Sequence, residues 1–328
     1  MLHKDPFSSC RLCPRDCRVN RRAGERGVCG ETAELRLATA SLHFGEEPPL
    51  IGEGGSGTIF VTGCSMKCPF CQNHQISRCG AGRVVGKEEF VSICLTLEDA
   101  GAENINLVTP SHAAPVLADY LGSAKDSGLG LPVAWNSSGF ESLPAVEIAA
   151  PMVDIWLPDL KILDSAAAER RYGVPGYPAA AEAAVLFMAD LRPLAVDDEG
   201  VIKRGLMVRH LVLPGEMEST REVLRWFGEH LAGRAWLSVM TQYTPVRIPG
   251  EKGNIPERQL NQREYDTVLE WLDEFSIDDG FVQDLLPGND WLPDFNRGNP
   301  FGSSLSKMIW RWDGGFVLSA DPSANPER

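Results

Sequence analysis

The chain carries no surplus of positive charge: 31 lysines and arginines face 45 aspartates and glutamates, a formal charge of −14. A general nucleic-acid binder must neutralise phosphates, so this balance argues against nucleic acid as a partner. No apolar run approaches the roughly 18 residues of a membrane span, and the first residues lack the charged-then-apolar pattern of a secretory signal. A cytoplasmic protein without a membrane partner is the expectation. Nine cysteines in 328 residues are too few for a disulfide scaffold, and 43% hydrophobic with 23% charged residues excludes disorder.

What is present is an alternation. From about residue 57 onward, β-rich apolar runs ending in Gly, Pro, Asn or Asp alternate with helix-like stretches, the pattern of βαβ units. Six strands are predicted, at Gly57–Gly63, Asn104–Pro110, Leu131–Ser137, Val153–Leu160, Leu206–Pro214 and Ala235–Tyr243. Helices are predicted at Glu88–Asp99, Ala113–Ser127, Ser219–Leu231 and Gln262–Phe275. Six repeats suit an α/β fold, a TIM-like barrel that is not fully closed and that carries its chemistry at the carboxyl ends of the strands. Residues 1–56, rich in Cys and Arg and then Gly, are read as an amino-terminal appendage, and 57–283 as the barrel. Residues 284–328 are read as an irregular tail in which Trp291, Trp310 and Trp312 pack and SADPSANPER frays. The Gly52–Gly57 run precedes a strand and opens no helix, which argues against a phosphate loop.

Seven of the nine cysteines lie within residues 10–71, a clustering that points to metal or cluster ligation rather than disulfides. Cys64-Ser-Met-Lys-Cys68-Pro-Phe-Cys71 directly follows the first predicted strand. Three thiolates on a four-iron cluster leave one iron open to a substrate. A zinc site completed by His74, or a cluster completed by Cys79, would be closed, and the spacing leaves all three readings standing. Cys10, Cys13, Cys17 and Cys29 place four thiols within twenty residues, enough for structural zinc, the preferred reading, or for a second cluster. The arginines between Arg11 and Arg26 offset thiolate charge, touch an acidic partner or form a solvated face. Cys94 and Cys79 otherwise read as ordinary thiols.

The CxxxCxxC motif with Phe70 before its third cysteine resembles the radical S-adenosylmethionine (SAM) superfamily. The CPFCQN, LPDLK and VRHLVLPG segments are similar to the branch that holds pyruvate formate-lyase activating enzyme. Within that branch CRLCPRDCRVNRRAGERGVCG, GSGTIF and NINLVTPSH are similar to the PflX group, and the resemblance covers about residues 10–295. It implies a partial (β/α)6 barrel, a [4Fe-4S] cluster on Cys64, Cys68 and Cys71, SAM on the open iron, and reductive cleavage to a 5′-deoxyadenosyl radical. The activity implied is that of an oxidoreductase activating a glycyl radical enzyme, or modifying another protein, a small molecule, a peptide or an RNA. A flavodoxin- or ferredoxin-type donor would supply the electron. Carried over by position, Phe70 packs near the adenine, Lys161 and Arg209 meet the SAM carboxylate, and Asp159 with Asn136 and Ser137 surrounds SAM or a cation.

Two departures stand out. Where activases carry Gly-Gly-Glu for the SAM amino group, this chain has Thr109-Pro110-Ser111-His112, so Ser111, His112 or backbone carbonyls are the expected substitutes. The third strand ends Asn136-Ser137-Ser138-Gly139 instead of Asp-Thr-Asn-Gly. Alternation along the strand puts His210 on the face opposite Arg209, under a helix. A zinc-binding interaction protein without enzymatic activity is the competing class.

Overall fold

The computed structural model describes residues 5–250, 255–285 and 291–317. Strand β1 (Arg36–His43) turns through the short helix α1 (Pro48–Ile51) into β2 (Ser56–Val61), and the cysteine loop leads to α2 (His74–Ser77) and β3 (Arg83–Val84). There follow α3 (Lys87–Asp99), β4 (Ile105–Val108), α4 (Ala114–Asp126), β5 (Val133–Ser137), α5 (Leu143–Ala149) and β6 (Ile155–Pro158). Next come α6 (Ser165–Tyr172), α7 (Tyr177–Leu191), β7 (Ala195–Val196), β8 (Ile202–Leu211), α8 (Met217–His230) and β9 (Trp236–Met240). The described chain ends with α9 (Gln262–Glu274), β10 (Gly280–Val282), β11 (Ser306–Arg311) and β12 (Gly315–Phe316).

The main path of the sheet is β10-β9-β8-β6-β5-β4-β2-β1-β11-β12, with β3 paired to β1 and β7 to β8. From β2 to β10 the seven strands are parallel, and β1 and β11 extend the sheet antiparallel. The sheet does not close on itself among the described residues. It is an α/β architecture with a parallel barrel-like sheet. All six predicted strands are present, and β10 adds a seventh that is only three residues long. Arg36–His43, within the segment read as an appendage, is a sheet strand because its backbone pairs with β2 on one side and β11 on the other. Trp310 of β11 is fully buried, its indole N–H donating to Glu89 at 2.8 Å. The SADPSANPER end lies outside the described residues.

Two apolar layers position the site. Ile105, Leu107, Val133, Trp135, Trp156, Leu206 and Val208 alternate along the strands and join the core shared with α3, α4, α5 and α7. Ala134, Ile155, Leu157 and Met207 occupy the opposite face and gather around Leu50 of α1. Since His43 pairs with Ser56 at the start of β2, α1 fills the amino-terminal end of the lumen. Full burial of an aliphatic side chain such as Leu50 is worth about 1.5–3 kcal/mol. The lumen is thus sealed at its floor.

Candidate functional site

The cysteine loop leaves β2 at Gly63, where φ is +89° and a Cβ would come 2.5 Å from Glu31 Cγ, so only glycine fits. The loop closes on itself. Cys71 N–H donates to the Cys68 carbonyl at 3.2 Å, Lys67 takes a left-handed φ of +53°, and Arg78 donates to the Lys67 carbonyl. Cys64 is buried, Cys68 and Cys71 are partly so, and Ser77 donates to the Cys71 sulfur at 3.5 Å. Burial pushes the Cys68 thiol up to about 12, opposed by Lys161 and reinforced by Cys71 and Cys64. Burial and Cys64 likewise raise Cys71, against Ser77 and the Asn73 N–H. The three sulfurs share one electrostatic environment beside a lysine.

A tetrahedral zinc with bonds of about 2.3 Å needs sulfurs about 3.8 Å apart. Among the described residues no group of three His, Cys, Asp or Glu side chains is gathered for a single metal ion. Neither a zinc site completed by His74 nor one at Cys10, Cys13, Cys17 and Cys29 is preformed. A multi-iron cluster spreads its ligands more widely, and three soft thiols from one loop at the carboxyl end of β2 fit that donor set.

Lys161 faces this loop. Its ammonium lies 2.5 Å from Asp159 Oδ2, and its backbone N–H donates to the Tyr177 hydroxyl at 2.9 Å. That hydroxyl shares its one proton between the carbonyls of Asp159 at 2.7 Å and Ser138 at 3.0 Å, so one buried tyrosine anchors the ends of β5 and β6. Gly139, at φ +71°, lets the β5 loop approach the Asp159 carbonyl, which a Cβ would meet at 2.3 Å. Burial opposes the charge on Lys161, yet Asp159 and Cys68 carry its pKa well above the lysine value. Phe70 is 6% exposed and packs against Tyr172 and Tyr243, with centroids 5.5 and 5.6 Å away. Behind Tyr243 a cavity of 210 Å³ is lined by Thr241, Gln242, Gln259, Leu260 and Trp291.

The residues expected to replace Gly-Gly-Glu are bonded into the scaffold. Ser111, Ser137 and Trp135 all donate to the fully buried Glu141, the last two at 3.0 and 2.8 Å. The His112 ring reaches the Thr62 carbonyl at 2.8 Å, and its own carbonyl accepts from Arg21 at 2.6 Å. Burial and Arg21 push His112 down to about 3, so it is neutral. Thr109 takes a left-handed φ of +61°, its N–H bonded to the carbonyl of Asn136, whose side chain is buried.

The amino-terminal cysteines sit against the same loop. The Cys64 N–H meets the Cys29 carbonyl at 3.4 Å, and Arg15 donates to the carbonyls of Ser65 and Met66. Cys10, Cys17 and Cys29 all raise the pKa of Cys13 behind the larger effect of burial, which takes it to about 12. Arg21, 2% exposed, donates to the carbonyls of Glu31 and Thr32 and to the Cys10 sulfur at 3.7 Å.

Arg209 is on the lumen face, as is shown by His210, which points the other way and bonds the Leu160 carbonyl and Thr220 of α8. Its partners were not foreseen. Glu47 Oε1 lies 3.0 Å from Arg209 Nε, Glu46 Oε2 lies 3.6 Å from Nη1, and Ser238 of β9 donates to Glu47 at 2.8 Å. Burial, opposed by Arg209 and reinforced by Glu47, pushes Glu46 up to about 7. The signal available was the Glu-Glu pair before Pro-Pro in GEEPPL, a doubled acid in a turn that a helix then seals.

Residues 50–155, which contain all three loop cysteines, match the family described as 4Fe-4S single cluster domain. An uncharacterized protein of Methanocaldococcus jannaschii is 29% identical over 284 residues, covering 84% of this chain and 78% of that protein. Streptococcus suis SuiB superposes with a TM-score of 0.50 at 13% identity, over 70% of this chain and 48% of SuiB. The chain thus spans about half the length of SuiB, which has also been solved with S-adenosylmethionine and with the precursor peptide SuiA. A radical SAM methyltransferase from Sphaerobacter thermophilus superposes with a TM-score of 0.45 at 14% identity, over 69% and 66% of the two chains. The likeness to SuiB shows the fold, and residues 50–155 are similar to a 4Fe-4S single cluster domain.

Proposed function

We propose that the chain is a radical SAM enzyme of the activase-like kind, which removes a hydrogen atom from a protein substrate. The observation that carries this reading is the loop of three free thiols at the carboxyl end of β2, faced by the partly buried Lys161–Asp159 pair. A [4Fe-4S] cluster held by this loop would supply the one-electron reduction that cleaves SAM to methionine and a 5′-deoxyadenosyl radical. Cys64, Cys68 and Cys71 would hold the cluster. Lys161, pinned through its backbone by Tyr177, would meet the SAM carboxylate with a charge-assisted hydrogen bond, while Asp159 keeps its ammonium oriented. Phe70, backed by Tyr172 and Tyr243, would wall the adenine side and exclude water. Arg209 serves the lumen rather than the carboxylate in this reading, because Glu46 and Glu47 already balance it.

The amino-terminal cysteines, with Arg21 beside Cys10, would hold a second metal centre that stiffens the cluster loop through Arg15 and the Cys29–Cys64 contact. A flavodoxin- or ferredoxin-type donor in the cytoplasm would supply the electron. The test is electron paramagnetic resonance on the anaerobically reconstituted protein. Native protein reduced by dithionite should show a cluster signal whose g values change on adding SAM, and Cys68→Ala should lack it. A glycyl signal in a candidate partner lyase would secure the activase reading. Failure with every candidate partner would favour a different substrate, a reading that the bonding of Ser111 and His112 into the scaffold also supports.

A further inference from the structure

Beneath the Lys161–Asp159 pair the lumen is lined by polar groups that the proposed SAM chemistry leaves unused. Glu46 and Glu47 come from the β1–β2 turn, Arg209 from β8 and Ser238 from β9. Three carboxylates, Glu46, Glu47 and Asp159, face two cations, Arg209 and Lys161, and Glu46 and Glu47 are hydrogen-bonded to each other, so the acids outnumber the cations by one. The side chains grow more accessible toward the mouth, from 8–9% exposed at Glu47 and Glu46 to 15% at Arg209 and 21% at Asp159. The two glutamates are therefore the more deeply buried part of the group.

A second observation is independent of the acids. Ser41 Oγ, His43 Nδ1 and both amide atoms of Asn106 are buried without a hydrogen-bond partner. Asn106 pairs across the sheet with Thr58, and Thr58 with Ser41, so these side chains form a row on adjacent strands. His43 is two residues along β1 from Ser41, and its charge state is influenced by Arg209 and Glu47. Ser41, His43 and Asn106 are each at least nine-tenths buried. Orphaned polar atoms at such depth cost about 1–3 kcal/mol each unless something hydrogen-bonds them.

We propose that the lumen holds the reacting portion of the substrate, a group bearing an amine or guanidinium whose positive charge seats between Glu46 and Glu47. This rests on the radical SAM reading and adds the substrate's chemistry to it. The cation supplies the missing charge, the row from Asn106 to His43 supplies hydrogen bonds to the attached polar atoms, and Arg209 rejects a second positive group. Glu46, faced by Arg209, Glu47 and Asp159, gives up its proton as the cation arrives.

The test is calorimetric titration of the full-length anaerobic protein, with SAM present, using N-acetyl-lysinamide, N-acetyl-argininamide and the neutral N-acetylnorleucinamide. At least one cationic probe should bind about tenfold or more tighter than the neutral one, and Glu46→Gln and Glu47→Gln should each remove that preference. In the native protein, which needs no variant to fold, the cationic affinity should rise from pH 6 to pH 8 with protons released, while the neutral probe stays flat. Equal binding of all three probes, or binding of none, would overturn the proposal. So would a Glu46→Gln variant that loses SAM affinity, because the pair would then serve the cofactor. Failure of the native protein to cleave SAM is read separately and would count against the enzymatic reading itself.

Discussion

Two buried carboxylate sites in this molecule are met in opposite ways. Glu141 accepts from Trp135, Ser137 and Ser111, three donors with no cation among them, and it ties the ends of β4 and β5 together. Glu46 and Glu47 share one arginine and one serine, and they stand beside other buried polar atoms that lack partners. The first arrangement is complete and therefore structural. The second is incomplete, and incompleteness at such burial has a cost that evolution tolerates where a ligand completes the set.

The comparison can be broken by substitution. Glu141→Ala would leave three buried donors unpaired and should lower stability by about 3 kcal/mol or more, measured by urea unfolding. A loss below about 1 kcal/mol would show that water replaces the carboxylate and that the two sites do not differ. Tyr177→Phe removes one donated bond, shared between the Asp159 and Ser138 carbonyls, and one accepted from the Lys161 N–H. It should cost about 1–2 kcal/mol and slow SAM cleavage, because Lys161 loses its anchor; unchanged cleavage would remove Lys161 from the site.

Glu46→Gln should behave unlike Glu141→Ala. A carboxyl whose pKa is raised in the fold stabilises it fully below its unfolded value, near 4.5, and that contribution is lost as pH rises through about 7. The variant lacks this loss, so its stability relative to the native protein should grow between pH 5 and pH 8. A gap that is constant or shrinks would mean that Glu46 is ionised and well paired. The smallest effect is expected at the exposed Lys87–Asp119 pair, 2.8 Å apart, where Lys87→Ala should leave the urea midpoint unchanged within error. It sets the scale for a charge contact without burial.

Much of this contrast was hidden in the sequence. The six βα repeats were legible because apolar runs and turn residues alternate at the right period, and the cysteine loop was legible because ligand spacing is a local property. β1 was missed because RLATASLH is built of small residues and is buried along nearly its whole length by pairing with β2 and β11, which leaves no period-two pattern. β10 was missed because three residues beginning at Gly280 carry too little signal. Motif position drew attention to Ser111, His112 and Ser137, but the destination of those side chains depends on Glu141 and Arg21, which fall outside the motif. Glu46 and Glu47 precede the first parallel strand and meet Arg209 only once β8 and β9 are assembled. Local spacing reads ligands well; it cannot read which polar groups the fold leaves unpaired.

The most direct test of the central claim is 5′-deoxyadenosine formation by the anaerobically reconstituted, dithionite-reduced protein with SAM, native against Cys68→Ala. The account predicts product from the native protein alone. Product from neither, in native protein with a full complement of iron and sulfide, would contradict it.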